Sequence, residues 1–486
     1  MNHTRRLIIS VIIILIFSIL IIDCAREKII IYKPLADDIS LISPPDGDLV
    51  FVAIPQLIWH PGDGAVDYQL QVATSDVFRG IEIDTVISDT SFSADTQLSN
   101  GRYYWRVRAR SVDNIWGDWS EASIRSFLIN NNTDYIELAA IIQTPGTPQD
   151  VFVCDDIAYI ADGHKLLTLI DVTDPEQPSL IGNIDREDGD YAHAVWKVPG
   201  DDIAYVADTD GKLMALDTSL PLDPYSMRSQ IVGQAQNVRD LTGMVFQDTI
   251  YIFTVDVGFT NRHLNFYQIV YFEGIPQLGG DYRVPSIRLP SDGLGVFFDT
   301  LQVTVEYRQS DSVYYESQEG MFVFVAVEEA GLGWYDLSET HSFDGTDILL
   351  LRNPHELGWG DTPSLAQEIC TKNGIAYVAD DRGGLMIFDL PDTIPAYDND
   401  SRYAADPVLI SDINTSGRTK DLCIVGDYCF LADGSGGLKV IDIADPYAPS
   451  FIAAYDTEYA YGIWADDEYI YLADRDYGLM IFHNKL

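Results

Sequence analysis

Two short apolar units recur through most of this chain, and they rule out an ordinary two-layer domain as the whole fold. The first is Leu, three mostly apolar residues and Asp: LTLID (167–171), LMALD (213–217), LGWYD (332–336), LMIFD (385–389) and LKVID (438–442). LNFYQ (264–268) and LMIFH (479–483) are degenerate copies. The second unit lies just upstream and ends in Ala-Asp: AYIAD (158–162), AYVAD (204–208 and 376–380), CFLAD (429–433) and IYLAD (470–474). Glycine-bearing turns such as DRGG and GSGG join the two. Another strand precedes each pair (QDVFV at 149–153, QEICT at 367–371, KDLCI at 420–424, YGIWA at 461–465), and a fourth follows (PSLIGNI at 178–184, DPVLISDI at 406–413, PSFIAAYD at 449–456). Such a unit cannot bury both faces alone and must stack between neighbours.

Four strands in a period of roughly 40–55 residues is the arithmetic of a propeller blade. First strands starting near 150, 193, 240, 293, 367, 420 and 461 predict an all-β fold with a seven-bladed β-propeller over 135–486. The last repeat stops at Leu486 after its third strand, and YIELAAII (135–142) stands upstream without partners of its own. That strand is expected to complete the last blade and remove the open edges. Repeats three and four are degenerate, and residues 299–320 read as a long hairpin inserted in repeat four. LTLIDVTDPEQP, LMIFDLPD and LKVIDIADPYAP resemble the LVIVD family of propeller repeats, found largely in exported bacterial and archaeal proteins. The resemblance implies the fold and carries no shared catalytic residue.

Upstream, residues 44–129 show period-2 strands between turn signals, the pattern of an immunoglobulin-like β-sandwich. In RYYWRVRAR (102–110), Tyr103, Trp105, Val107 and Ala109 share the core face, and Arg106, Arg108 and Arg110 share the other. WGDWS (116–120) follows. Trp59, the YYWRVRA strand and the WxxWS ending resemble a fibronectin type III domain. The resemblance implies that Trp116 and Trp119 stack on Arg106, Arg108 or Arg110, as a stiffening ladder or an aromatic patch for a carbohydrate or protein partner. NNNTD (130–134) is a polar linker to the repeats.

The first 23 residues read as a signal: Arg5 and Arg6 precede an apolar run from Leu7 to Ile22 broken only by Ser10 and Ser18. The run is short for a spanning helix, which takes about 20 apolar residues. Cys24 stands where it stops, with no A-x-A cleavage site before it. This resembles a bacterial lipoprotein signal and implies lipidation of Cys24, with residues 24–43 as a tether. Asp23 departs from the small residue usual there. An uncleaved anchor and ordinary secretion are the alternatives, and each exports the bulk of the chain.

The net charge is −45, and residues 1–23 hold only two Arg and one Asp of it, so the acidity belongs to the exported part. Nucleic-acid phosphates demand clustered Lys and Arg, which this chain lacks. With 47% apolar residues, wholesale disorder is excluded as well. The repeated Asp residues (Asp171, Asp217, Asp389 and Asp442 on the third strand; Asp162, Asp208, Asp380, Asp433 and Asp474 on the second) read as architecture, accepting backbone N–H bonds at turns. Asp150, His193, Asp240, Glu368 and Asp421 begin first strands roughly once per blade and form the candidate channel rim. They either bind a cation or basic ligand at the axis or satisfy backbone groups of the neighbouring blade.

No cofactor or metal is expected. DTDG (208–211) and PPDGD (44–48) are oxygen-rich, with Ca²⁺ as the alternative, but neither continues into EF-hand spacing. The cysteines form no constellation: Cys154 falls in a turn, and a two-residue turn at Gly426-Asp427 puts Cys423 and Cys429 on opposite faces, which disfavours a disulfide. The His residues are scattered, and no nucleophile elbow, P-loop or dinucleotide fingerprint is present. The function expected is a non-catalytic binding protein of the cell envelope, with a protein or glycan partner met by propeller loops. The alternatives are a propeller hydrolase or lyase acting on polysaccharide at the channel mouth, and a purely structural envelope component.

Overall fold

The computed structural model describes residues 39–45, 48–50, 55–93, 98, 101–120, 124–129, 135–184, 191–209, 212–219, 229–231, 237–246, 249–258, 262–272, 275–278, 286–309, 312–337, 355–395, 405–415 and 417–486. The signal, Cys24, most of the tether and the 130–134 linker lie outside them. So do Asp46, Gly47, Asp210 and Gly211 of the two oxygen-rich loops. Every regular element among the described residues is a strand. The chain divides into two compact units, Met1–Ile129 and Asn130–Leu486.

In the first unit, a three-stranded sheet (Leu41–Ser43, Gln56–Trp59, Ser91–Ser93) and a five-stranded sheet share one core. The longer sheet runs Asp48–Val50, Arg125–Ile129, Gly101–Ser111, Ala65–Ala73, Ile81–Ile87. Trp59 comes from one sheet and Trp105, Leu70, Val72, Val107 and Phe127 from the other, all essentially fully buried.

In the second unit, seven sheets occur among the described residues, antiparallel except for one parallel edge strand. Their first strands are Asp150–Cys154, Ala192–Lys197, Val238–Phe246, Gly293–Gln309, Glu368–Lys372, Asp421–Val425 and Ala460–Ala465. Each touches the next, and the last touches the first, so the sheets close a ring. The seventh sheet takes its fourth strand from Ile136–Ile142, which pairs antiparallel with Gly478–Asn484. Lys485 then meets Glu137 across that seam.

Second strands show why the sheets stack. IAYVAD at Ile203–Asp208 is buried at every position. Ala204 and Val206 pack toward the first sheet, and Tyr205 and Ala207 toward the third. Period-2 alternation thus yields two apolar faces rather than one, each fully buried Val or Leu contributing about 1.5–3 kcal/mol.

The third and fourth sheets depart from the four-strand expectation, each having five strands. In the third, Ile287–Arg288 pairs with the third strand beside Ile275–Leu278. In the fourth, the described residues of 299–320 pair as the expected long hairpin, but it is no separate insertion: Gly293–Gln309 and Ser312–Val327 are the first two strands themselves, prolonged past the sheet. Thr393–Pro395 pairs in parallel with the prolonged edge at Thr304–Glu306. Cys154 is the last paired residue of its strand, opposite Ile157, rather than a turn residue. Ile424 lies opposite Cys429, and both Cys423 and Cys429 are free thiols.

The two families of repeated Asp have distinct tasks. Asp171, Asp217 and Asp442 each accept the N–H two residues on, from Thr173, Ser219 and Ala444. The second-strand set instead ties down the loop entering its own sheet. Asp208 accepts from Tyr191 N–H, Asp380 from Ser364 and Asp474 from Tyr459. Asp433 accepts the Thr415 and Thr419 hydroxyls on one oxygen and Gly417 N–H on the other. Gly437 closes that turn at φ 71°, where a Cβ would also strike the Tyr455 carbonyl oxygen.

Replacing Asp433 by Ala strands three donors in a buried turn and should cost about 2–4 kcal/mol. Denaturant unfolding checks this, and a loss below about 0.5 kcal/mol would show the carboxylate to be dispensable.

Candidate functional site

A cavity of about 440 Å³ opens on the ring axis, lined by the starts of the first strands. Its geometry follows from one irregularity. The first strands of sheets two, three, four and seven each skip one residue in their pairing, at His193, Arg239, Leu294 and Tyr461. In sheets one, five and six, Gln149, Gln367 and Lys420 occupy the corresponding place, donating N–H to Ala161, Ala379 and Ala432 just ahead of the ladder. A bulged residue has no partner opposite and turns its side chain out of the sheet pattern. All seven line the cavity.

The next position holds Asp150, Ala194, Asp240, Gly295, Glu368, Asp421 and Gly462, paired opposite Ala161, Ala207, Val255, Ala326, Ala379, Ala432 and Ala473. His193 therefore does not belong with the four acids; Ala194 is their counterpart, and His193 precedes it in the variable layer. Counting along the sequence misses this because a bulge adds one residue without changing composition.

The acids act between sheets. Asp150 accepts its own neighbour's N–H from Val151 on one oxygen and Val195 N–H of the second sheet on the other, at 2.7 and 2.9 Å. Asp421 does the same with Leu422 and Ile463 of the seventh sheet, at 2.6 and 2.7 Å. Asp240 reaches Val296 of the fourth sheet at 2.7 Å. The receiving sheets carry Ala194, Gly462 and Gly295, the small residues of the set. Glu368 accepts Ile369 N–H at 2.9 Å, and a Cβ on Gly295 would collide with it. Of the two readings of these acids, the one that satisfies backbone groups of the neighbouring sheet describes these contacts.

Burial raises all four carboxyls, Asp150 to about 6 and Asp240 to about 7, with Glu368 and Asp421 also pushed well up. After burial, the acids' mutual repulsion raises Asp240, Glu368 and Asp421, and the backbone N–H bonds oppose it. No group of three or more His, Cys, Asp or Glu able to hold a metal occurs among the described residues.

The variable layer carries different chemistry. Arg239 donates from its guanidinium to Nδ1 of His193, whose Nε2 is 2.9 Å from the Thr209 hydroxyl; Thr209 in turn donates to the Tyr191 carbonyl. Burial, then the charge of Arg239, lowers the His193 pKa to about 3, so the imidazole is neutral. Lys420 bonds Gln367 Oε1 and Asp381. Tyr461 packs on Tyr459 at 4.8 Å, and Arg475 lies over Tyr459.

In the first unit the arginines and aromatics interleave. Arg106 lies between Phe78 and Trp119 (3.8 and 4.2 Å), Arg108 between Trp119 and Trp116 (4.5 and 5.0 Å), and Arg110 beyond Trp116 (4.9 Å). Their edges are engaged too: Arg106 with Gln71, Arg108 with Gln69 and Arg110 with Asp67 and Asn114. Asp84 then fixes both glutamines. Phe78 had no signal in the sequence, since it reaches the stack from another strand's turn.

The LVIVD repeat family matches residues 145–186, 197–229, 365–393, 416–457 and 459–482. The chain carries LVIVD repeats. They fall on sheets one, two, five, six and seven, while sheets three and four, with their extra strands, go unmatched. Together with sheets three and four, the repeats close into the ring of a β-propeller. Among solved structures, the chain is similar to the β-propeller domain of Cps50 (Swd1) from Myceliophteria thermophila at 10% identity and TM-score 0.47, covering 71% of this chain and 99% of that one. It is similar to the computationally designed Ika8 protein at 10% identity and TM-score 0.43, with the same coverage. No curated protein matches the chain.

The raised carboxyls bind more protons folded than unfolded, so their contribution to stability falls as pH rises from about 4, the unfolded Asp value, through about 7. Glu368→Gln keeps the Oε1 acceptor for Ile369 and removes one charge from the layer. Urea titrations between pH 5 and 7.5 should show a flatter pH dependence and a higher midpoint at pH 7.5 than wild type. An unchanged slope would mean that neither burial nor the neighbouring acids raise the Glu368 carboxyl.

Proposed function

We propose that this chain is an exported, lipid-anchored, non-catalytic binding protein of the cell envelope. An immunoglobulin-like, fibronectin type III-like sandwich over 44–129 serves as spacer, and a seven-bladed LVIVD propeller over 135–486 carries recognition of a protein or glycan at its channel mouth. One observation carries the binding reading: at the position just before the acid layer every sheet but the first and fifth differs from the others, with Gln149, His193, Arg239, Leu294, Gln367, Lys420 and Tyr461. The position after it is confined to acids and to Ala or Gly. Architecture repeats, and a ligand site breaks the repeat.

A propeller hydrolase or lyase acting on polysaccharide is the second reading, favoured by Asp150 and Asp240 with carboxyls raised toward neutral pH. Against it, both oxygens of Asp150 are committed to backbone N–H groups, and both ring nitrogens of His193 are engaged. Neither is placed as a free general base.

Two measurements test this. The full chain should retain a fraction of envelope polysaccharide or protein that the double variant Gln149→Ala, Tyr461→Ala releases, and retained polysaccharide should keep its length after incubation. Shortened chains would establish the enzyme, and equal retention by the variant would remove the channel mouth from recognition. For the anchor, Cys24→Ala should abolish incorporation of labelled palmitate and shift the chain from membrane to soluble fractions. Unchanged labelling would refute lipidation at Cys24.

A further inference from the structure

We infer that the channel mouth binds the carboxylate of an acidic sugar, with Arg239 as its anchor; this rests on the binding reading above and names its ligand. Arg239 lines the cavity, and His193 is the one hydrogen-bond partner of its guanidinium among the described residues. The remaining N–H groups form the planar fork that suits a carboxylate. The Thr209 and Tyr191 contacts hold the imidazole that holds this fork. Because His193 is neutral, its Nδ1 stays an acceptor that aims the guanidinium.

The neighbouring groups narrow the class. Lys420 is already occupied by Asp381 and Gln367, so it adds little free positive charge. Beside Arg239 lies the layer of Asp150, Asp240, Glu368 and Asp421, whose negative charge disfavours a dianion and whose carboxyl oxygens, beyond their backbone N–H bonds, keep lone pairs for hydroxyl donors. A monoanion carrying several hydroxyls meets both demands. Gln149 spends its amide N–H groups on the Thr147 and Pro148 carbonyls, which leaves Oε1 as a further acceptor for such hydroxyls. Tyr461 supplies a ring against which a sugar face can pack. The cavity volume lies within the range of small-ligand sites.

Calorimetry on the full chain tests this with three probes: tri-galacturonate, its methyl ester and inorganic phosphate. Tri-galacturonate should bind, the ester should bind at least about tenfold more weakly, and phosphate should not compete. Arg239→Met should lose at least about tenfold in affinity, with Arg239→Lys in between because it keeps charge without the fork. Equal binding of acid and ester, full affinity in Arg239→Met, or competition by phosphate overturns the proposal. If Arg239→Met unfolds, the acid-against-ester comparison on wild type decides alone. Binding of the ester but not the acid, lost in Tyr461→Ala, refutes the ligand class and leaves the binding reading standing. Binding of no probe, together with no retained envelope fraction, refutes both.

Discussion

A carboxylate that accepts two backbone N–H groups from different sheets is the contact on which the ring depends at its axis. The radial sheets are held broadly by apolar faces, which specify proximity but tolerate sliding. Directional bonds from Asp150 to Val195, Asp240 to Val296 and Asp421 to Ile463 fix where one first strand starts relative to the next. Each also explains the residue it faces. Ala194, Gly295 and Gly462 leave room for the neighbouring backbone, and at Gly295 and Gly462 a Cβ would meet the acid-bearing strand of the following sheet. Large side chains on both sides of one seam would force the ring open.

That arrangement carries an electrostatic cost. The carboxylates converge, and burial with mutual repulsion drives their pKa values up. Backbone N–H dipoles offset part of this, and Arg239 lowers Asp240. The second-strand Asp residues are buried as well, yet each is spread around the ring with its own donors, so they do not meet. The acidity of the chain therefore has two different effects. Around the periphery it serves turns, and at the axis it stores repulsion.

Much of this was legible because the repeated positions have simple chemistry. An Asp that ends a strand and caps a turn needs no distant partner to be recognised, and two apolar faces show in the sequence as near-continuous apolar runs. What escaped depends on register. His193 looks like one more polar residue opening a first strand, and only the pairing of Ala194 with Ala207 shows it displaced by a bulge. Residues 299–320 looked inserted because strands that outrun their sheet have no separate signature. In the first unit, the alternation of RYYWRVRAR with WGDWS pointed to the stack, while Phe78 and the Gln69, Gln71 and Asp84 brace come from strands whose alignment no local pattern reveals.

The bulge also suggests how one ring separates stability from recognition. A residue inside a ladder is constrained on both sides, by its cross-strand partner and by the next sheet, so substitutions there change the register or the core. A bulged residue lacks the cross-strand partner, and here its side chain is delivered to the axis. Four bulged positions, with the three that stand just ahead of the ladder in the other sheets, hold Gln, His, Arg, Leu, Lys or Tyr directly beside the acid layer. The acid layer in turn supplies the rigid floor that gives those side chains fixed directions. The mouth is thus free to acquire a specific ligand for the same physical reason that the layer beside it is not.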